Sequence, residues 1–245
     1  MPLTERENFI RNARRVGPEW MPCRVSISAS AWLDLKEEAE EIVLRHPILF
    51  PGYRKGQRSF DASSLPAHHR AGVRVRDSMG CVWQTDVDGT VGVVVQHPLT
   101  DWSQVKDWQP PSVHEGRYDR LDWDKIGESI RKAKARGAVA SGSLDHGFFL
   151  LRLMDLCGFE NVMMGFADDQ PELWDLIHKL DTYNKALVDR YLALGVDVVY
   201  LPEDLGAQKS SMVSPATFRK WCSPSYRLLI GACKKAGALV HCHSD

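Results

Sequence analysis

The stretch GVDVVYLPEDLGAQKSSMVSPATFRKWCSPSYRLLIGACKKAGALVHCH, residues 195–243, decides the fold. It opens with a glycine and the apolar run VDVVYL at 196–201, and it closes with a second glycine and the run ALVHCH at 238–243. A helical pattern occupies 216–236 between the two runs. Short apolar runs that follow a helix and a glycine are typical of strands in a parallel sheet. The stretch therefore predicts a strand–helix–strand unit.

The same order of elements occurs upstream. A helical pattern at 122–137 ends in glycine and leads into AVASGS at 138–143, and a long amphipathic pattern at 170–194 leads into VDVVYL. Repeated βα units with polar residues after each strand favour a TIM-type (β/α)8 barrel over a doubly wound sheet. No glycine-rich dinucleotide fingerprint follows any of these strands. Because the sequence ends directly after a strand, we expect an apparently truncated barrel whose last units lie beyond Asp245.

The irregular N-terminal region is expected to belong to the same domain, residues 1–245. Residues 121–245 contain the regular βα units, and residues 1–120 contain helices, a β-hairpin and the first barrel elements. The hairpin is predicted because VRVRDSMGCVWQTDVDGTVGVVVQHPL at 73–99 alternates polar and apolar residues around Asp88-Gly89, a pair suited to a tight turn.

Three further elements are predicted before the hairpin. Helical patterns cover 4–15 and 33–45, and PCRVSIS at 22–28 has the composition of a short strand.

Composition excludes several classes of partner. The formal net charge is −1, so no basic surface is available to neutralise a row of phosphates, and nucleic acid is a poor candidate. No apolar run approaches the roughly 20 residues that cross a bilayer, and the polar N-terminus lacks a secretory signal, so we expect a cytoplasmic protein without a membrane partner. The 6 cysteines form no CxxC pair and are expected to be thiols.

Polar residues at the carboxyl ends of the predicted strands are the candidates for chemistry, since barrel enzymes build their sites there. They are Ser141, Ser143, Asp145 and His146 after the first strand, Glu203, Asp204 and Gln208 after the second, and His241, Cys242, His243 and Asp245 after the third.

The pair His241 and His243 is the most specific of these features. Residues i and i+2 of a strand point to the same face, so both imidazoles can converge on one zinc ion. A bare His-x-His is also compatible with core histidines or with histidines that bind substrate.

Three carboxylates and one more histidine complete the candidate set. Of Glu203 and Asp204, one is expected to cap a following helix or loop and the other to act at the barrel mouth as a base, a supporting partner or a metal ligand. His146 is a catalytic candidate, although loop histidines are often simply exposed. Asp77, before the hairpin, is either a turn residue or a substrate ligand.

Several of these motifs resemble a known family. They are the acidic pair Glu203-Asp204 with Gly206 and Gln208, Ser214-Pro215 with Phe218, Pro224, the terminal His-x-His, RDSMGCVW at 76–83, HPLTDWSQVKDWQPP at 97–111 and LCGFENVMMGFADDQPE at 156–172. Over about residues 70–245 the chain resembles the uroporphyrinogen decarboxylase-like superfamily, and it is most similar to the cobalamin-dependent methyltransferase branch.

The resemblance implies a TIM barrel and a zinc ion held by His-x-Cys plus a distant cysteine. Such zinc binds a thiol substrate and lowers its pKa, and the thiolate accepts a methyl group from a corrinoid on a separate protein. His241 matches the first ligand, and His243 stands where the cysteine is usual. The third ligand is expected beyond Asp245. Ser143, Asp77 and Gln208 are then candidates for binding a small-molecule substrate.

Two other functions remain open at this point. The first is decarboxylation of uroporphyrinogen in porphyrin metabolism, which the family implies, but the arginine-bearing M-R-Q-A-G-R segment of the decarboxylase is missing and Leu205 replaces its serine. A substrate rich in carboxylates needs several convergent arginines. The second is an inactive module that binds a corrinoid or tetrapyrrole.

Overall fold

A computed structural model describes residues 2–244 and divides the chain into two compact units. The parallel-sheet unit comprises residues 1–19, 78–80 and 97–245, and the hairpin unit comprises residues 20–77 and 81–96. The principal elements, in chain order, are α1 (Glu5–Arg14), α2 (Ala29–Arg45), β1 (Arg74–Arg76), β2 (Val82–Gln84), β3 (Val93–Gln96), α3 (Trp123–Ala135), β4 (Ser141–Ser143), α4 (Leu150–Cys157), α5 (Phe159–Ala167), α6 (Pro171–Ala193), β5 (Val198–Pro202), α7 (Pro215–Thr217), α8 (Ser223–Lys235) and β6 (Leu239–His243).

The hairpin unit contains the antiparallel sheet β1-β2-β3, so the predicted β2–β3 hairpin is confirmed. Gly89 in the connection has φ 83°, and a Cβ there would lie 2.4 Å from the backbone nitrogen of Ser30, so only glycine fits. The strand predicted at 22–28 is wrong, because this segment is irregular. Its last residue, Ser28, instead caps α2 by accepting a hydrogen bond from the Ala31 N–H.

The core of the hairpin unit forms on one side of α2. Trp32, Ala39 and Val43 are buried there, and Tyr53 and Phe60 stack on the Trp32 ring. Lys36, with φ 46° and ψ −117°, interrupts α2 between Trp32 and the other two residues, so the core gathers side chains from both halves of the helix. Their burial excludes water and stabilises this small unit.

The parallel-sheet unit contains β4, β5 and β6 in that spatial order, all parallel. The three predicted βα strands are thereby confirmed, and each follows a helix of the predicted kind. These strands establish a mixed α/β fold with a parallel sheet; a closed eight-stranded barrel is not shown by them.

The two faces of this sheet differ sharply. A Cβ on Gly142 would lie 2.3 Å from the Tyr191 ring of α6, so this face lies directly against the helix layer, and Val199 on the same face is fully buried. On the opposite face Ser143 and His241 are exposed. Alternation along the strands therefore separates a face that packs on the helix layer from a face that carries exposed polar side chains.

A buried aspartate anchors the start of β5. The Asp197 carboxylate accepts two hydrogen bonds from Arg6, at 2.9 and 2.7 Å, and a third from the Ala140 N–H at 3.0 Å. Burial by itself raises the pKa of Asp197, but the Arg6 and Ala140 donors outweigh it and hold this pKa below its ordinary value. The ion pair thus ties α1 to the beginnings of two strands.

Acid should therefore weaken this anchor. Since the folded-state pKa of Asp197 is lowered, the stabilisation is present above the unfolded-state pKa of about 4 and is lost as pH falls through the folded-state pKa. In the wild type the free energy of unfolding should fall as pH drops below about 4. We expect this fall to be smaller in Asp197→Asn, as measured by urea denaturation at a series of pH values. The control is Asp189→Asn, which removes a half-exposed ion pair with Lys185 and should leave that acid dependence nearly unchanged.

Lys179 on α6 fastens the segment that follows Trp102. Its Nζ donates to the carbonyls of Val105 (2.7 Å), Lys106 (3.1 Å) and Trp108 (2.7 Å). Because Lys179→Met leaves these carbonyls without their charged donor, we expect it to lower the free energy of unfolding by about 2 kcal/mol. Chemical denaturation measures this, and Lys185→Met at an exposed pair should cost well under 1 kcal/mol, about the value of a surface ion pair.

Among residues 2–244, none of the helices combines the length and the apolar character needed to cross a bilayer.

Candidate metal centre

The ends of the three parallel strands bring His146, Asp204 and His243 together. One ligand atom of each residue lies within 4.8 Å of the other two. His146 follows β4, Asp204 follows β5, and His243 is the last residue of β6. The carboxyl ends of neighbouring parallel strands meet at one edge of a sheet, so residues distant in sequence converge there.

Asp204 lies between the two imidazoles. Its Oδ2 is 3.4 Å from His146 Nε2, and its Oδ1 is 3.4 Å from His243 Nε2. The two histidine rings are 6.0 Å apart, centroid to centroid. The side chains of His146 and His243 are 52% and 42% exposed, whereas that of Asp204 is 23% exposed, so the cluster opens to solvent on the histidine side.

The loop that carries His146 is held against β5 on both sides of the histidine. The Leu144 N–H donates to the Tyr200 carbonyl at 3.1 Å, and the Gly147 N–H donates to the Pro202 carbonyl at 3.0 Å. Gly147 has φ 70°, and a Cβ there would lie 2.7 Å from the Leu151 Cβ, so a glycine is required directly after His146. These constraints fix where the His146 ring emerges.

Arg117 gives this loop a further contact that the sequence did not reveal. Its Nη2 donates to the His146 carbonyl at 2.8 Å, and its Nε lies 4.0 Å from Asp145 Oδ2. Burial, followed by the like charge of Arg152, lowers the pKa of Arg117. No sequence pattern marks Arg117, because it lies in an irregular segment between predicted elements.

Glu203 does not face the cluster with its carboxylate. It is fully buried and accepts hydrogen bonds from the N–H groups of Phe149, Leu150 and Leu151 at the start of α4, and from that of Asp204. Burial raises the pKa of Glu203, and the four backbone donors oppose that rise. Of the acidic pair, Glu203 is therefore the helix cap and Asp204 is the residue that faces the histidines.

His241 lies outside the cluster. Its ring packs edge-on against Tyr200, 4.7 Å between centroids, and the register pairs these two residues across β5 and β6. His243 lies two residues further along β6 and pairs with Pro202 at the end of the strands. The two histidines share a strand face, but only His243 reaches the group formed with Asp204.

The remaining predicted site residues are spread more widely. Ser143 donates its hydroxyl to the Leu144 carbonyl at 2.7 Å, and Gln208 is exposed in the loop between β5 and α7. Asp77 belongs to the hairpin unit, where its carboxylate accepts from the Cys81 N–H and from Trp83 Nε1, so it stabilises the turn before β2.

The donor set of this cluster suits a divalent transition metal. Two imidazoles and one carboxylate are a common ligand set for catalytic zinc, which keeps a further position open for water or substrate. Among the described residues, the buried Oδ1 of Asp204 has no hydrogen-bond partner, although it lies 3.4 Å from His243 Nε2. A cation bound between the Asp204 carboxylate and the two imidazoles would compensate this buried oxygen.

The architecture defines the chain as a mixed α/β protein with a strand-end cluster of metal-ligand type. Its fold is similar to a solved structure described as a methyltransferase from Methanosarcina mazei, with a TM-score of 0.62 and 13% sequence identity, over 99% of this chain and 70% of that chain. No protein-family model and no curated protein matches the sequence. At this identity the likeness establishes a shared fold.

Proposed function

We propose that the protein is a zinc-dependent methyltransferase of the uroporphyrinogen decarboxylase-like superfamily, with the metal bound by His146, Asp204 and His243. The observation that carries the proposal is the convergence of three ligand atoms within 4.8 Å at the ends of three parallel strands. The sequence motifs described above and the fold shared with a methyltransferase support the reaction class. The proposal includes a closed (β/α)8 barrel as the complete architecture.

Zinc bound in such a site lowers the pKa of a thiol substrate and so supplies a thiolate, the reactive form in methyl transfer. Three side chains of the protein would bind this zinc. The two neutral imidazoles each offer Nε2, the Asp204 carboxylate supplies one negative charge, and the exposed histidine side leaves room for the acceptor.

The transfer itself balances simply. The thiol loses its proton to solvent, its sulfur forms a bond to the methyl carbon, and the electron pair of the broken bond stays with the donor. A corrinoid on a separate protein is the proposed donor. Because both ring ligands are neutral, the site carries less negative charge than one with cysteine ligands, so we expect a less electron-rich thiolate and slow turnover.

Metal analysis together with an optical assay tests the proposal. The purified protein should bind one zinc per chain, and with a thiol and methylcobalamin it should show zinc-dependent demethylation of the corrinoid. The variant His146→Ala/Asp204→Asn/His243→Ala should lose both properties.

Other outcomes reject the proposal in distinguishable ways. If the purified protein contains no zinc and decarboxylates uroporphyrinogen, it is a carboxy-lyase. If it contains no zinc and binds a corrinoid tightly without turnover, it is a binding module.

A further inference from the structure

Glu203 contacts the chain segments of all three proposed ligands. Its backbone N–H donates to the carbonyl of His243 at 3.2 Å, and its carboxylate accepts from the N–H of Asp204 at 3.2 Å. The same carboxylate accepts from Phe149, Leu150 and Leu151, which follow His146 by three to five residues.

The carboxylate is also the cap that α4 otherwise lacks. Phe149 occupies the N-cap position of this helix, and its side chain makes no capping hydrogen bond. The first N–H groups of a helix have no partner within it and carry a partial positive charge, so a buried carboxylate satisfies both needs. Glu203 directly follows β5 and reaches these groups although Phe149 lies 54 positions away in the chain. It therefore fixes the His146 loop relative to the end of β5, which Asp204 also follows.

We infer that Glu203 is the positioning residue of the metal centre: it sets the separation of His146, Asp204 and His243 without touching the metal or the substrate. The expected effect of Glu203 on metal binding rests on the proposed function. Its effect on the placement of the three side chains does not depend on any metal.

The variant Glu203→Gln tests the inference with little change in shape. Glutamine keeps the volume, but its amide nitrogen faces N–H donors instead of accepting from them, so at least one helix N–H loses its partner. The matched control is Lys179→Met, which also removes hydrogen bonds to backbone but at residues 105–108, remote in the chain from the ligands.

Two measurements are made on each protein. In metal-free protein, imidazole ring chemical shifts are recorded by NMR, and we expect Glu203→Gln to move the His146 and His243 signals while leaving His241 in place. Zinc affinity, by competition with a chromophoric chelator, should fall about 10- to 100-fold in Glu203→Gln, as for other residues that orient ligands. Lys179→Met should change neither measurement.

Glu203→Asp keeps the charge on a shorter side chain, so its ring shifts and zinc affinity should lie between those of the wild type and Glu203→Gln. It replaces Glu203→Gln if that variant does not fold.

The results separate the two claims. Unchanged His146 and His243 ring signals in Glu203→Gln, or equal zinc loss in Glu203→Gln and Lys179→Met, would overturn the positioning role. If wild-type protein binds no zinc, the proposed function fails, and the ring signals of the metal-free proteins still decide the inference about Glu203.

Discussion

His243→Ala should lower zinc affinity more than about 100-fold, because removing a direct ligand costs at least as much as disturbing the residues that orient ligands. The geometric reason is the position of His243 Nε2, 3.4 Å from Asp204 Oδ1 at the end of β6. A chelator-competition titration with purified protein measures the change, and Asp204→Asn and His146→Ala should give losses of the same order.

His241→Ala is the matched control, since it removes the same side chain two residues earlier on the same strand. We expect zinc affinity to change by no more than about a factor of 2, the usual range for a surface substitution away from a site. His241 contacts Tyr200 and lies outside the cluster. Equal losses in the two variants would contradict the assignment and would restore the pair His241 and His243 as the ligands.

The sequence predicted that polar residues gather at the strand ends, but it did not single out the two histidines that the structure brings together. Alternation places His241 and His243 on one face, and that rule is local. However, successive residues on one face of a strand are about 6.6 Å apart along it, so they meet different neighbours. His243 lies at the level of Pro202, beside the residues that follow β5, whereas His241 lies at the level of Tyr200 within the strand. The other two members of the cluster, His146 and Asp204, follow different strands, so a pattern within one segment cannot predict their approach to His243.

The roles within the acidic pair show the same limit. Sequence reasoning anticipated that one carboxylate would cap a helix and the other would face the site, but either assignment suited the pattern. The choice depends on α4, whose first N–H groups lie more than 50 residues earlier in the chain and need an acceptor. In the hairpin unit, by contrast, the signal is local: Asp88-Gly89 lies in the connection between β2 and β3, and the alternating segments on its two sides are the ones that pair.

Trp221→Ala should lower the free energy of unfolding by about 3–5 kcal/mol, the range for losing a buried tryptophan. Trp221 is 1% exposed and packs on Phe166 of α5 and Trp174 of α6. It lies in Phe218–Cys222, a π-helical turn between α7 and α8. Urea denaturation followed by circular dichroism measures the loss.

Trp174→Ala separates the cavity from the ring stack. Trp174 is 38% exposed and stacks on Trp221 with 4.1 Å between centroids. Its removal forfeits the aromatic pair, about 1 kcal/mol beyond the apolar area it buries, and leaves a space open to water, so we expect a smaller loss than for Trp221→Ala. A Trp221→Ala loss no larger than the Trp174→Ala loss would contradict the central packing role given to Trp221. A large stability loss with unchanged zinc affinity would instead show that the strand ends hold the ligands independently of the helix layer.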